Sequence, residues 1–286
     1  MCSLYCSSVN KKPIMNFLKE SVKYSRRFIS TYKFLDIKET NQGYKIIQLE
    51  KKPVNSLNTE FCSEIIFALN ESESDKKCRG VIFTSKLPVF SAGLDLLEMY
   101  KPNPSHLANF WHLVQEMSLK IFSSPLIIFS AINGACPAGG CMIAFSSDYR
   151  VMVDGKHTIG LNETLLGLSA PFWLAESLKL LVGHREAERM LSLGILSTPS
   201  EALKIGIVDQ VVPPEHLLTC CITEMEKWLK VPDVGRIQTK KNIRKQYIEQ
   251  FISCRNQDLD LFVKGVQQEN VQNLLGSYIE ALKKKK

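Results

Sequence analysis

The order of apolar and polar positions along the chain predicts a layered protein in which helices and strands alternate. Phe34-Leu-Asp-Ile-Lys-Glu and Tyr44-Lys-Ile-Ile-Gln-Leu-Glu alternate in part and flank Asn41-Gln-Gly43, which predicts a strand, a tight turn and a second strand. Between Leu57 and Asn70 the residues Phe61, Ile65, Ile66 and Leu69 recur on one helical face, and the polar run from Glu71 to Lys77 is expected to end that helix. Gly80-Val-Ile-Phe-Thr is short, apolar and partly β-branched, as a strand covered on both faces should be. A helix around Leu107 to Phe122, a strand from Leu126 to Ile132, a small-residue helix from about Ala138 and a strand from Tyr149 to Val153 continue the alternation. Strands separated by helices imply parallel βαβ units with right-handed crossovers.

After Pro213 the pattern changes. Glu215 to Leu229, Gly235 to Phe251 and Gln257 to Leu282 read as helices with no strand between them. The expected organisation is an α/β core over residues 34–213 and a helical subdomain over 214–286, preceded by a segment, 1–33, of different character. No repeat of fixed period is present.

Charge bears on that first segment. The net charge of +7 invites a nucleic-acid partner, but residues 1–33 hold seven basic residues and one acidic, so the remaining chain carries a net +1. The Lys283–Lys286 tail alone carries +4, so residues 34–282 sum to −3, and no broad basic face is left for nucleic acid. The first segment is Ser-rich and acid-poor, and Met15 to Ser30 can wind into a basic amphipathic helix. This composition predicts a mitochondrial transit peptide and hence residence in the matrix; a basic tail without that role is the alternative. The run nearest to a membrane span, Ser124 to Ala131, is short and contains Pro125, so no membrane span is expected. The nine cysteines include no C-x-x-C pair and the five histidines are scattered, so neither a disulfide framework nor a metal site is expected.

Three short segments carry candidate chemistry: Phe90-Ser-Ala-Gly-Leu-Asp95, Asn133-Gly-Ala-Cys-Pro-Ala-Gly-Gly-Cys141 and Gly160-Leu-Asn-Glu-Thr-Leu-Leu-Gly167. Each borders a predicted strand, where an α/β scaffold leaves loops open to ligand. In the first, small residues let the Ala92 amide approach a ligand, although Ser-Ala-Gly also makes ordinary turns. In the second, Gly139-Gly140 opens a helix and leaves free amides at its positive end; close helix–strand packing explains small residues equally well. Neither a dinucleotide nor a phosphate loop pattern is present. In the third, Glu163 stands among Leu161, Leu165, Leu166 and Leu168, a setting that would raise a carboxylate toward neutrality and make it a base. A helix N-terminal glutamate capped by Asn162 is the alternative.

Taken together with Asp148-Tyr-Arg150, Ala170-Pro-Phe-Trp173 and Gly206-Ile-Val-Asp209, these segments resemble the crotonase superfamily of coenzyme A thioester enzymes, in order and at family spacing, from about Lys33 to the C-terminus. The resemblance implies a crotonase-like ββα spiral core with a C-terminal helical region that builds homotrimers. It implies oxyanion donors at the amides of Ala92 and Gly139, and an acyl-CoA site lined by Ala92, Gly93, Leu94, Asp95, Leu96 and Gly139. Glu163 would be the single base that moves a proton from C2 to C4, turning 3-cis- or 3-trans-enoyl-CoA into the 2-trans isomer in the β-oxidation of unsaturated fatty acids. It implies no metal or redox cofactor, coenzyme A being part of the substrate. The hydratase branch has a second glutamate after the glycine pair where this chain has Met142; water addition needs that second acid, so isomerisation is favoured over hydration. Another thioester activity on the same scaffold, and an acyl-CoA-binding oligomer without turnover, are the alternatives.

Overall fold

The computed structural model describes residues 32–284. The predicted transit segment, apart from Tyr32 and Lys33, lies outside the described residues.

The chain opens with a hairpin, β1 (Leu35–Glu39) and β2 (Tyr44–Leu49), paired antiparallel with Leu35 opposite Leu49. Helix α1 (Thr59–Ser74) begins where Asn58 accepts a hydrogen bond from the Phe61 amide at 3.0 Å. It buries Phe61, Ile65 and Leu69, and continues through Glu71–Ser74, where the polar run had been expected to stop it. Those residues still belong to the amphipathic pattern: Ser72 is buried and donates to the Ala68 carbonyl within the helix. Strands β3 (Gly80–Ser85), β4 (Ile127–Ile132), β6 (Tyr149–Val153) and β8 (Gln210–Val212) extend the sheet in parallel, giving the order β1-β2-β3-β4-β6-β8.

Both faces of this sheet are covered, and side chains alternate between them. Ile47, Leu49, Val81, Phe83, Ile128, Ile132 and Met152 join one core with α1 and α3 (Pro104–Ser123). Ile46, Ile82, Ile127, Phe129, Val151 and Val153 join the other with Leu217, Cys221 and Met225 of α8 (Leu217–Leu229). Between α1 and α3 stands the single turn α2 (Leu96–Met99). The glycine pair sits in a 3-10 turn, Ala138–Gly140, that runs into α4 (Cys141–Ser146). Three helices not foreseen from the sequence, α5 (Phe172–Val182), α6 (His184–Leu193) and α7 (Pro199–Ile205), fill the stretch before β8.

From Pro213 onward the described chain is helical, as expected, but its division differs. Helix α9 runs unbroken from Asp233 to Val266 and α10 from Glu269 to Lys283. The break expected near residues 252–256 is absent because Ile252-Ser-Cys-Arg-Asn256 offers neither glycine nor proline to end a helix. These helices are tied to the sheet: buried Asp148, beside β6, accepts from Lys240 at 2.7 Å and from Arg244 at 2.8 Å. Burial outweighs the attraction of Asp148 and draws the Lys240 amine down to about 8. The seven cysteines among the described residues are free thiols, and none of the described helices is long and apolar enough to cross a membrane.

Candidate active site

A second sheet of only two short strands gathers the candidate residues. β5 (Cys136–Pro137) lies parallel to β7 (Ile159–Gly160), with the Cys136 amide on the Thr158 carbonyl at 2.9 Å. Because the strands are parallel, the chain leaves both at the same end. It reaches Gly139 shortly after β5 and Glu163 shortly after β7. The Cys141 thiol reaches back across the pair, donating to the Cys136 carbonyl at 2.9 Å with the Gly160 carbonyl at 3.4 Å.

The Phe90–Asp95 loop lies against the glycine turn, backbone to backbone. The Phe90 amide donates to the Ala135 carbonyl at 3.0 Å, and Asn133 Nδ2 to the Leu87 carbonyl at 2.7 Å. A Cβ at Gly134 would stand 2.1 Å from the Pro88 carbonyl oxygen, and one at Gly140 would stand 2.5 Å from that of Ser91. Only glycine permits this approach. At the centre of the contact a Cβ on Gly139 would lie 3.0 Å from the Leu94 nitrogen, and a Cβ on Gly93, whose φ is +91°, would lie 3.0 Å from the Gly139 nitrogen.

The amides of this loop correct one expectation. The Ala92 N–H, predicted as an oxyanion donor, is spent on the Val54 carbonyl at 2.9 Å. The Gly93 amide donates to Ser91 Oγ at 3.2 Å and the Asp95 amide to the Leu57 carbonyl at 2.9 Å. Among the described residues the Leu94 amide has no hydrogen-bond partner, and it sits beside Gly139. The unspent donors brought together are therefore Leu94 and Gly139. Sequence shows which loop is made of small residues, but not which of its amides a turn nearly 40 positions upstream will occupy.

Glu163 opens a 3-10 turn, Glu163–Leu166, which Gly167 ends in the left-handed conformation at φ 72°. Asn162 makes no capping hydrogen bond, so the capped-glutamate alternative is not what the fold builds. The Thr164 hydroxyl anchors the turn on the Leu191 carbonyl of α6 at 3.1 Å. Glu163 Oε2 is buried with no partner, and burial, with no charged neighbour contributing, lifts the carboxyl to about 7. Leu161 is buried beside it, whereas Leu165, expected in the apolar wall, is 63% exposed. Burial likewise raises the Cys141 thiol, which feels the charge of Glu163; it stays a neutral donor. Met142 is buried, with its methyl 2.8 Å from where a Gly139 Cβ would stand, so a thioether occupies the position at which the hydratase branch is expected to carry its second acid.

Asp95 and Leu96, predicted to line the site, are less directly engaged. Asp95 caps α2 through the Leu97 amide at 3.2 Å and pairs with Lys51 at 3.0 Å; Leu96 is the first residue of α2 and packs on the core. Burial pushes the Asp95 carboxyl up, but the Lys51 ammonium overcomes this and holds it below its usual range. Trp111 and Trp173 are core residues: both indoles donate to Asp258 Oδ2, at 2.8 and 3.1 Å, and Trp111 stacks on Phe262 at 3.6 Å. Among the described residues no group of histidines, cysteines and carboxylates is placed to hold a metal. Sequence reading missed Lys51 and Asp258, whose partners lie 44 and at least 85 positions away. The turn-prone Lys52-Pro-Val-Asn55 beside Lys51 was the available signal for the first.

A parallel sheet with a small second sheet whose parallel strands lead, at one end, to a free amide and to a carboxylate raised toward neutrality is an α/β scaffold suited to proton transfer next to a carbonyl. The chain belongs to the enoyl-CoA hydratase/isomerase family, whose model matches residues 39–285. It is 46% identical over 270 residues to the mitochondrial enoyl-CoA delta isomerase 1 of Mus musculus, covering 94% of this chain and 93% of that one. To the Homo sapiens protein of the same name it is 44% identical over 264 residues, covering 92% and 87%. The crystal structure of human mitochondrial delta3-delta2-enoyl-CoA isomerase superposes with a TM-score of 0.87 at 44% identity, over 89% of this chain and 100% of that one. An enoyl-CoA hydratase from Bacillus halodurans, 20% identical, shares the fold with a TM-score of 0.78 over 85% and 99%.

Proposed function

We propose that this protein shifts the double bond of 3-cis- and 3-trans-enoyl-CoA to the 2-trans position in the β-oxidation of unsaturated fatty acids. The observation that carries this reading is Glu163: a carboxyl raised to about 7 by burial alone, with an unpartnered buried oxygen. A base poised near the operating pH is what abstraction of a weakly acidic C2 proton needs.

With the thioester oxygen between the Leu94 and Gly139 amides, the Glu163 carboxylate takes the C2 proton. The C–H electron pair moves into C1–C2, and charge passes to the thioester oxygen as a dienolate conjugated with C3=C4. Donors oriented beforehand in a dry site stabilise that oxygen by on the order of 3 kcal/mol each. The neutral Glu163 acid then protonates C4, the C2=C3 bond forms and the carbonyl is restored. One proton moves between two carbons and none is lost. In this reaction no metal or redox cofactor has a role. Burial of Met142 in place of a second acid supports isomerisation over hydration.

We also propose that the enzyme is a homotrimer of the mitochondrial matrix. The mitochondrial relatives and the basic first segment support the location, and the exposed Leu165, Leu180, Leu193 and Leu203 support burial against other copies. The deciding test is conversion of 3-enoyl-CoA by purified protein, beside Glu163→Gln and a hydration control. Isomerisation that disappears in the glutamine variant supports the reading. Hydration outpacing isomerisation would make the protein a hydratase, and binding without turnover an acyl-CoA-binding protein.

A further inference from the structure

The loop that carries the Leu94 amide is held from outside the site by an ion pair that the proposed reaction does not itself use. The Lys51 and Asp95 side chains are only 10% and 20% exposed, with Nζ 3.0 Å from Oδ2. The Ser56 hydroxyl donates to the same carboxylate oxygen at 3.0 Å and accepts from Lys51 Nζ at 3.0 Å, closing a three-membered cluster. The other Asp95 oxygen is occupied in capping α2. Glu98, in the turn that Asp95 caps, is engaged elsewhere, by the Thr59 amide at 2.9 Å and by His106.

Lys51 is itself on a fixed turn. Its amide donates to Asn55 Oδ1 at 2.8 Å, the Asn55 amide returns to the Lys51 carbonyl at 2.7 Å, and Asn55 Nδ2 donates to the Phe90 carbonyl at 3.0 Å. The cluster therefore grips the Phe90–Asp95 loop at both ends. Ala92, Gly93 and Asp95 have their amides bonded, so the aim of the unbonded Leu94 N–H depends on how firmly its neighbours are held. Backbone bonds hold Gly93 and Asp95 to Leu57; the side-chain hold on Asp95 is Lys51 and Ser56.

We propose that the Lys51–Asp95 pair positions the Leu94 amide, making both positioning residues for the isomerisation read above, on which this inference rests. An exposed pair would do little of this kind. A pair largely removed from water is different, since loss of one partner leaves the other's charge uncompensated. A donor that drifts from its aim weakens the bond to the developing oxyanion. It changes little in thioester binding, which is spread over the whole coenzyme A moiety.

The experiment compares Lys51→Met, Lys51→Arg and the double variant Lys51→Met/Asp95→Asn with the parent. It reads kcat and KM for 3-enoyl-CoA, melting temperature, and the infrared carbonyl band of bound butanoyl-CoA, a saturated thioester that does not react. Lys51→Met is expected to lower kcat about 10- to 100-fold with KM within about threefold. Its bound carbonyl band should move back toward the frequency in water. Lys51→Arg regains most of the rate. The double variant, with no unpaired charge left, regains melting temperature but neither kcat nor the carbonyl shift.

A Lys51→Met kcat within about twofold of the parent would overturn the proposal, as would a double variant whose kcat recovers along with its melting temperature. So would an unchanged carbonyl band in a variant of low kcat. If Lys51→Met does not fold, Lys51→Arg and the double variant decide by the same readings. If the parent does not isomerise at all, the proposed function fails, and the carbonyl bands of the butanoyl-CoA complexes still test the positioning.

Discussion

The sharpest consequence of the site is a pH dependence with two independent readouts. Burial takes the Glu163 carboxyl from its ordinary 4.5 to about 7, so the base form is the minority species below neutrality. kcat/KM should then rise with pH through about 7 and level off above it. At pH 6 about a tenth of the enzyme carries the ionised base, and at pH 8 about nine-tenths, giving close to a tenfold difference in rate. The same rise has a stability cost. Folded Glu163 holds its proton where the unfolded chain has lost it, so stability falls as pH rises from 4.5 to about 7. The cost is absent well below 4.5 and fully present above about 7, where it amounts to roughly 3 kcal/mol, against about 1 kcal/mol at pH 5. Glu163→Gln, which keeps the shape and cannot ionise, should be inactive yet more stable than the parent at pH 8, with the advantage shrinking toward pH 5. Initial rates of 3-enoyl-CoA conversion between pH 5 and 9 and urea melts of both proteins at pH 5 and 8 measure the two effects. A rate limb near 4.5, or a glutamine variant no more stable at pH 8 than at pH 5, would refute the claim that desolvation tunes this base.

Three further outcomes follow from contacts around the site. Gly139→Ala places a methyl about 3 Å from the Leu94 nitrogen and should lower kcat by about 10²- to 10³-fold by covering the donor pair, measured as single-turnover rate beside a circular dichroism check of folding. Met142→Glu buries a second carboxylate next in sequence to Cys141, whose thiol feels the charge of Glu163, and the like charge should move the acid limb of the rate profile above about 7; a limb that stays in place would show that residue 142 does not face the base. Asp258→Leu leaves the Trp111 and Trp173 indoles and Gln115 without their shared acceptor and should destabilise by on the order of 3 kcal/mol in urea melts, with the pH limb of any remaining activity unmoved.

What could be read from the sequence divides along a physical line. Strands such as Gly80–Ser85 and Tyr149–Val153 are buried on both faces, so each contains an unbroken apolar stretch, Gly80–Phe83 and Val151–Val153, visible without context. The three-residue β8 and the two-residue β5 and β7 are too short to carry any periodicity and exist only through their partners. The long α9 was divided wrongly because its mostly exposed face blurs the helical repeat. At the site, the settings and the family pattern point to Glu163, whose carboxyl burial raises, and to Gly139, which lies against the Leu94 nitrogen. In the first loop the amide left free is that of Leu94 and not that of Ala92, since this rests on a hydrogen bond to Val54 and not on residue type.

The element least visible in the sequence is the one that sets the site geometry. β5 and β7 together span four residues, yet being parallel they deliver the Gly139 amide and the Glu163 carboxylate from the same end of one small sheet. The third part, the Leu94 amide, comes from a different loop and must be brought to the same point by packing. Glycine makes that possible at Gly134, Gly139 and Gly140, where any side chain would strike the opposing backbone or its neighbours. In the proposed mechanism two of the groups are thus fixed to each other by strand pairing, while the Leu94 amide is fixed to them, among the described residues, by loop contacts and the Lys51–Asp95 pair. Distortions of the fold should therefore reach the reaction first through Leu94. Variants along residues 51–57, distant in sequence from the base, are expected to cost more in kcat than variants of equal destabilisation elsewhere in the sheet.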